Sequence, residues 1–410
     1  MSDTDRPNLH APFTQEPPGP LAPATRRRLR SRLLATLEPD RDGILLLEHD
    51  NVVWASGFDH SRSERPVGLW LPADGDVPTL FVPRLEQEHA AQVDGVRPEV
   101  YDEYPGLRPP LTWIHERIVA GASGSRVRVA VDAIDLRWSE ALRQQGADLI
   151  ASDAAVRARS VKEPEELALI RLAAGYADRV LFWLLEEGGA RIDDGASEAD
   201  LLQASVSAAR QVMDADLAER FPASTLHLVG TVHSGPQAAL PHGRPGPRRP
   251  TVGEVVIAGI GAKVGGYHAE SGATFVVGEP DADTARCLRT ADACGRAAIA
   301  ALRPGVRCDA VNEAAWGVLR EAGLGDAIRH RIGHGMGVQG HEAPWLAPGD
   351  GTEVAPGMAF SNEPGIYRPG VDGYRTIDSM IVHDDRIEIP SRFQATVPWD
   401  RRTLASYASR

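Results

Sequence analysis

Histidine and glutamate side chains in the second half of the chain are the residues best suited to do chemistry. His242 lies in ALPHGRPG, His334 and His341 lie in GHGMGVQGHEAP, and Glu270 and Glu363 lie in YHAESGATF and NEPG. Each histidine is a candidate general acid or base, because imidazole titrates near neutral pH. If the two glutamates face one cavity, either the pKa of one must rise or a cation must lie between them. A small cationic substrate would satisfy such a pair.

The first half of the chain must support this chemistry, and it is predicted to be an α/β domain with a largely antiparallel sheet that ends near residue 155. GILLLEHDNVVWASGF predicts two short strands around the turn His49-Asp50-Asn51. VGLWLPADGDVPTLFVP predicts a second strand pair around Ala73-Asp74-Gly75-Asp76. LRWSEALRQQG predicts a helix that ends at Gly146.

The second half opens with a long helical pattern. Glu163-Pro164-Glu165 is a good helix start, and the apolar period then continues for about six turns. A second long helix is predicted from Ser197 to Met213. The remaining predicted elements are strands at 224–228, 254–260 and 271–277 and helices at 281–301 and 308–322.

Five motifs of the second half follow one another in a recognisable order: LPHG, GIGAKVGGYHAESGATF, GHGMGVQGHEAP, APGMAFSNEPGIY and DGYRTIDSMIV. With VVWASGF and SVKEPEELALIRLAA before them, they resemble the pita-bread fold family of creatinase, prolidase, Xaa-Pro aminopeptidase and methionine aminopeptidase. The resemblance covers nearly the whole chain. It implies an α/β (α+β) fold with a loosely docked arm (1–22), a creatinase-like N-terminal domain (23–157) and a pita-bread catalytic domain (158–410).

The peptidases of this family bind two divalent ions with two Asp, one His and two Glu. The resemblance places these five ligands at Gly259, Glu270, His334, Glu363 and Ile377, so two carboxylates are missing. Hard oxygen ligands suit Mn or Co, and a two-metal site activates a water molecule. The sequence therefore predicts that no dinuclear site forms and that no cofactor is bound. The alternative is one weakly held ion on Glu270, His334 and Glu363.

Asp378 follows Ile377 directly, but neighbouring residues of a strand point to opposite faces. It would replace the missing ligand only through a bulge. The arginine that usually precedes the final Thr-Phe is also absent, because Ala273 stands there.

The missing ligands favour the metal-independent, creatinase-like branch of the family. Resemblance to that branch implies that His242 moves the proton and that Arg65, contributed across a homodimer, holds the substrate carboxylate. The predicted function is hydrolysis of a C–N bond in a small cationic or zwitterionic molecule. The alternatives are an Xaa-Pro dipeptidase or aminopeptidase with an atypical metal site, a lyase on the same scaffold, and a non-catalytic peptide-binding module.

Three further side chains complete the candidate site. Arg375 and His268 are predicted to bind substrate, together with Arg65. The structural alternative is that one of the two glutamates forms a salt bridge with Arg375 or Lys263. His334 and His341 are retained as catalytic candidates beside His242.

Composition limits the partners and the location. Net charge is −13, which disfavours a general nucleic-acid partner and an anionic membrane surface. The first twenty residues have no apolar segment of a signal peptide, and no run of eighteen apolar residues exists. The three cysteines have no metal-binding spacing, which favours a reducing, cytoplasmic setting.

Overall fold

The structure, a computed structural model, describes residues 17–102, 108–122, 127–222 and 226–404. Most of the predicted arm, residues 1–22, lies outside the described residues. The chain divides between Arg159 and Ser160 into two compact units, Leu21–Arg159 and the unit that begins at Ser160. Both units mix helices and strands, which confirms the predicted fold class. The predicted domain bounds stay a prediction.

The first unit is built on a six-stranded sheet with the strand order β4-β3-β2-β1-β5-β6. Its strands are β1 (Gly43–Leu46), β2 (Gly68–Pro72), β3 (Thr79–Pro83), β4 (Arg97–Tyr101), β5 (Arg128–Val131) and β6 (Asp148–Ala151). Its helices are α1 (Pro23–Ala35), α2 (His49–Ser56), α3 (Gln87–Ala90), α4 (Pro110–Gly121), α5 (Leu136–Gln144) and α6 (Ala154–Ser160). Phe81, Ile114 and Val129 belong to the apolar cluster between sheet and helices.

Two predictions for this unit are wrong. The second strand predicted in GILLLEHDNVVWASGF is the helix α2, because the side chain of Glu48 accepts the free N–H groups of Asp50 and Asn51. Gly57, at φ +86°, then ends the helix. The sheet is mixed and not largely antiparallel, since β1 pairs parallel with β5, β5 with β6 and β3 with β4.

The second unit combines sheets of different size with long helices. Its helices are α7 (Pro164–Asp193), α8 (Glu198–Leu217), α9 (Ala282–Ala301), α10 (Cys308–Glu321) and α11 (Phe393–Thr396). Its strands are β7 (His227–Ser234), β8 (Val255–Val264), β9 (Tyr267–Val277), β10 (Gly333–Gly335), β11 (Glu342–Leu346), β12 (Ala359–Asn362), β13 (Gly365–Arg368), β14 (Asp372–Arg375), β15 (Asp378–Val382), β16 (Ile387–Glu388) and β17 (Thr403–Leu404).

These strands form a four-stranded sheet, β17-β9-β8-β7, a five-stranded sheet, β11-β10-β12-β15-β16, and the hairpin β13-β14. A bridge between Gly272 and Ile377 joins β9 to the chain between β14 and β15. The helix α7, predicted from its acidic start, begins with a capping box between Glu163 and Glu166. None of the described helices is long and apolar enough to cross a membrane.

Candidate active site

Four of the predicted site residues meet in the second unit. Glu270 lies on β9, His334 on β10, Glu363 directly after β12, and His341 directly before β11. Each offers a ligand atom, and these atoms all lie within 4.8 Å of one another. Side chains from four separate strand regions therefore converge on one point.

Glycines let the strands around His334 approach closely. A Cβ atom on Gly335 would lie 2.7 Å from the carbonyl oxygen of Glu342, and one on Gly333 would collide with that of Ser361. His334 pairs with Ser361 across β10 and β12, and the Ser361 hydroxyl donates a 3.2 Å hydrogen bond to Oε2 of Glu270. The strand pairing thus fixes the imidazole and the carboxylate relative to each other.

The hydrogen bonds of His334 leave one ring nitrogen free to bind a cation. Nδ1 lies 3.0 Å from the carbonyl oxygen of Gly335, which accepts a hydrogen bond from the Nδ1–H group. Nε2 lies 2.7 Å from Oε1 of Glu363, but among the described residues it makes no well-directed hydrogen bond, although the ring is buried. A nitrogen lone pair that faces a carboxylate oxygen suits a shared metal ion, and the Nδ1 contact selects the tautomer that such a ligand needs.

Burial and mutual repulsion set the charges of the two glutamates. Burial first, and then the charge of Glu363, raise the pKa of Glu270 to about 7. Burial also acts to raise the pKa of Glu363, but contact with His334 more than offsets this and holds that pKa well below its usual range. The same contact, working against burial, raises the pKa of His334. The pocket is therefore a site that attracts positive charge.

His341 lies at the exposed side of this cluster. Its ring centroid is 4.0 Å from that of His334, and its Nε2 is 3.9 Å from Oε1 of Glu270. Burial of part of the ring, and then the nearby His334, lower the pKa of His341 to about 4. A neutral imidazole at neutral pH can bind a metal ion or donate a hydrogen bond to a substrate.

Arg375, at the end of β14, lies close enough to the cluster for its charge to act on it. Its Nη1 donates to the carbonyl oxygen of Pro241 at 3.2 Å, and it also interacts with the hydroxyl of Tyr367. Its charge acts on both Glu270 and Glu363, but no ion pair within 4.0 Å joins it to either among the described residues. Arg375 is therefore a buried cation beside the carboxylates and not a close salt-bridge partner of one of them.

Positions 259 and 377, where the resemblance predicted the two other ligands, lie next to Arg375 and to each other. A Cβ atom on Gly259 would lie 2.5 Å from Nη2 of Arg375 and 3.3 Å from Cδ1 of Ile377. Asp378 points elsewhere: its Oδ1 accepts from the Ser391 hydroxyl at 3.1 Å, and it is no part of the cluster. Asp378 follows Ile377 directly, and neighbouring residues of a strand point to opposite faces, so Asp378 is directed away from the cluster.

The remaining candidates are not members of the cluster. His242 is exposed, in the loop after the 3-10 helix Gly235–Ala239, and its charge acts on His341. His268 lies two residues before Glu270 on β9, hence on the same face of the strand. Arg65 belongs to the first unit, where it pairs with Glu64 at 2.7 Å.

Other polar side chains of the site went unnoticed in the sequence. His330, half-buried and four residues before His334, donates or accepts a 2.8 Å hydrogen bond with the hydroxyl of Tyr367. His233 on β7 is 1% exposed, and neither ring nitrogen has a partner among the described residues. Burial, and then the charge of Arg375, lower the pKa of His233 to about 4. The spacing in HRIGHG is a signal for His330; His233 follows no such pattern.

Two family models match the chain. Residues 168–384 match metallopeptidase family M24, and residues 28–161 match the creatinase/prolidase N-terminal domain. The chain belongs to the M24 family, and its second unit is the pita-bread domain that the motifs predicted. It is a hydrolase of this family, in agreement with the predicted enzyme class.

Named relatives are similar over most of their length. The chain is 35% identical over 373 residues to a probable dipeptidase PepE of Mycobacterium tuberculosis, covering 88% of this chain and 92% of that protein. It is 27% identical over 349 residues to the Xaa-Pro dipeptidase of Pyrococcus furiosus, covering 84% and 91%. The crystal structure of dipeptidase PepE from Mycobacterium ulcerans superposes with a TM-score of 0.77 at 28% identity, covering 94% of this chain and all of that one.

The prediction that no cofactor is bound is wrong. The chain matches a metallopeptidase family, and Glu270, His334, His341 and Glu363 form a cluster that fits a metal ion. The prediction counted the missing carboxylates at positions 259 and 377, but the four other donors still converge. The metal-independent branch likewise gains no support, since the relatives are named as dipeptidases and prolidases.

Proposed function

We propose that this protein is a metal-dependent dipeptidase that hydrolyses the amide bond of a dipeptide. The observation that carries the proposal is the cluster of Glu270, His334, His341 and Glu363, whose ligand atoms lie within 4.8 Å of one another. The names of the M24 relatives support the choice of substrate class.

The residues that would hold a divalent ion are Glu270, His334 and Glu363, with His341 at the exposed side. Carboxylate oxygens and imidazole nitrogens suit ions such as Mn, Co or Zn. An ion bound there would supply a Lewis acid and a source of hydroxide at neutral pH. The Ser361 hydroxyl keeps Glu270 oriented, and the Gly335 carbonyl holds Nδ1 of His334 so that Nε2 is directed into the cluster.

The polarity of the pocket fits a zwitterionic dipeptide. Glu270 and Glu363 supply negative charge, and the buried Arg375 supplies a positive charge that acts on both. The exposed His242 can donate a hydrogen bond to the substrate or move a proton to the leaving amine, because an imidazole ring can act as a general acid or base.

Two further parts of the proposal concern the cellular compartment and the oligomeric state. A reducing compartment such as the cytoplasm is supported by Cys287, Cys294 and Cys308, which are all free and buried. A homodimer in which Arg65 serves the partner's site is carried over from the resemblance to creatinase, and it needs its own test.

Chelation tests the proposal on the full chain. We expect purified protein to hydrolyse Xaa-Pro or Xaa-Ala dipeptides, to lose this activity after dialysis against a chelator, and to recover it with Mn²⁺ or Co²⁺. Glu363→Gln should lower turnover at least about 100-fold, because it removes a ligand charge.

Glu388→Gln is the matched control. Glu388 also contacts a histidine at 2.7 Å, His383, and pairs with Arg171 outside the cluster. This variant should keep wild-type turnover. Dipeptide hydrolysis that is unaffected by chelation, or absent with every ion tested, would overturn the proposal.

A further inference from the structure

We propose that the site binds one divalent ion per chain, with the guanidinium of Arg375 in place of a second ion. The inference rests on the proposed metal-dependent function and concerns the stoichiometry of its site. The peptidases that this chain resembles bind two ions with five side chains. In this chain, one half of the site keeps its metal-binding side chains. In the other half, the side chains of Arg375 and Ile377 occupy the space where further ligands would lie.

The retained half is the cluster of Glu270, His334, His341 and Glu363. The other half lies around Gly259, where a ligand carboxylate would have to start from the Cα atom. That space is filled, because Nη2 of Arg375 would lie 2.5 Å from a Cβ atom there. Cδ1 of Ile377 lies against the same point, and its side chain also packs on Gly272. A guanidinium and a hydrocarbon offer no oxygen or nitrogen lone pair to a second ion.

Arg375 is placed so that its positive charge acts on the two carboxylates without a direct ion pair. Its guanidinium is buried, and its Nε has no hydrogen-bond partner among the described residues. Both carboxylates of the cluster act on its charge, yet neither forms an ion pair with it within 4.0 Å. The arginine therefore neutralises the pocket as a whole and leaves the carboxylate oxygens available for one ion.

The charges agree with this stoichiometry. Replacement of two ligand carboxylates by Gly259 and Ile377 removes two negative charges, which is the charge that one divalent ion would neutralise. One ion held by the two remaining carboxylates therefore leaves the same net charge as two ions held by four, before the charge of Arg375 is added. A second ion would add two positive charges with no new carboxylate to offset them, and in a buried pocket this is strongly unfavourable.

Metal binding to the apoprotein, measured without turnover, tests the inference. Chelator-treated full chain is titrated with Mn²⁺ in a calorimeter, and the metal content of the dialysed product is measured by elemental analysis. We expect one Mn²⁺ per chain. This measurement needs no variant, so it does not depend on whether a substituted pocket folds.

The direction in which Mn²⁺ affinity changes when Arg375 is replaced is a second readout. Removal of its charge in Arg375→Met should tighten Mn²⁺ binding by at least about tenfold, because repulsion between the two cations is lost. Arg375→Lys keeps the charge and should bind Mn²⁺ as the wild type does. Arg402→Met removes another buried arginine outside the cluster and should also leave the affinity unchanged.

Two Mn²⁺ per wild-type chain, with chelator-sensitive hydrolysis, would overturn the inference and leave the proposed function standing. Weaker or unchanged Mn²⁺ binding by Arg375→Met would also overturn it, because a merely structural arginine would have that effect. Failure of the wild type to bind any Mn²⁺ or Co²⁺ would overturn the proposed function, and the inference with it.

Discussion

At the scale of single residues, the site depends on how each histidine is held. His334 is 2% exposed, and a backbone carbonyl holds its Nδ1 proton, so Nε2 faces Glu363 and can donate its electron pair to an ion bound there. His242 is exposed, and its ring is available to a substrate. The contrast separates a histidine suited to bind an ion from one suited to move a proton.

We therefore predict that His242→Ala lowers kcat by roughly 10²–10⁴-fold, the range of a general acid or base, and leaves Mn²⁺ content unchanged. Steady-state kinetics and elemental analysis of the same preparation check both parts. His383→Ala, which removes a histidine outside the cluster, is the control. Near-wild-type turnover in His242→Ala would assign the proton transfer to another histidine, such as His341 or His330.

The site residues differ in how far the sequence could reveal them. Glu270, His334, His341 and Glu363 lie in motifs, so a resemblance was enough to name them together. Arg375 was named as a substrate-binding residue or a structural bridge, and its contact with the space at Gly259 depends on strands 116 residues apart, which pattern reading cannot bring together. The unpartnered nitrogens of His233 are likewise visible only after folding.

At the scale of elements, periodicity predicted the long helices well and the short ones badly. The helix α7 has about thirty residues of apolar repeat and a capping box, so its signal is strong. The helix α2 has eight residues, of which Val52, Val53 and Trp54 are all buried, and such a short apolar run fits a strand equally well. Only the cap formed by Glu48 distinguishes the two, and glutamate is an uncommon cap.

A buried pair of carboxylates connects several elements of the second unit. Asp178 of α7 accepts hydrogen bonds from the Ser271 hydroxyl of β9 and the N–H of Arg392, at 2.6 and 2.5 Å. Asp378 of β15 accepts one from Ser391. Burial raises the pKa of Asp178 to about 6 and, together with the charge of Asp178, that of Asp378 to about 7.

Both pKa values lie above those of an unfolded chain, so the folded state binds more protons between about pH 4 and pH 7. We therefore expect this pair to make the free energy of unfolding fall as pH rises through that window and level off above it. Asp378→Asn should remove much of the fall, on the order of 1–3 kcal/mol.

Urea denaturation at pH 5 and pH 8, with a chelator present, measures this difference. Asp385→Asn is the control, because that side chain is 78% exposed. If Asp378→Asn keeps the full wild-type pH dependence, the pair is not the group that titrates.

At the scale of the whole molecule, the fold class followed from the sequence because seven motifs span both halves of the chain. The role of Arg65 belongs to this scale, because Arg65 lies in the first unit and the cluster lies in the second. Arg65 pairs with its neighbour Glu64 in the first unit. To bind the carboxylate of a substrate, its guanidinium would have to reach an active site. The resemblance to creatinase implies that the site belongs to a partner chain in a homodimer.

Complementation between two inactive variants tests this prediction directly. Arg65→Ala and Glu363→Gln should each lose most activity, since one removes the predicted carboxylate clamp and the other a ligand of the cluster. If subunits exchange at random after mixing, half of the dimers are mixed, and each mixed dimer has one site with both residues intact. About one quarter of wild-type activity should therefore return. Light scattering at micromolar concentration should show a dimer before and after mixing. A monomer, wild-type turnover in Arg65→Ala alone, or mixing without recovery would each remove Arg65 from the partner's site.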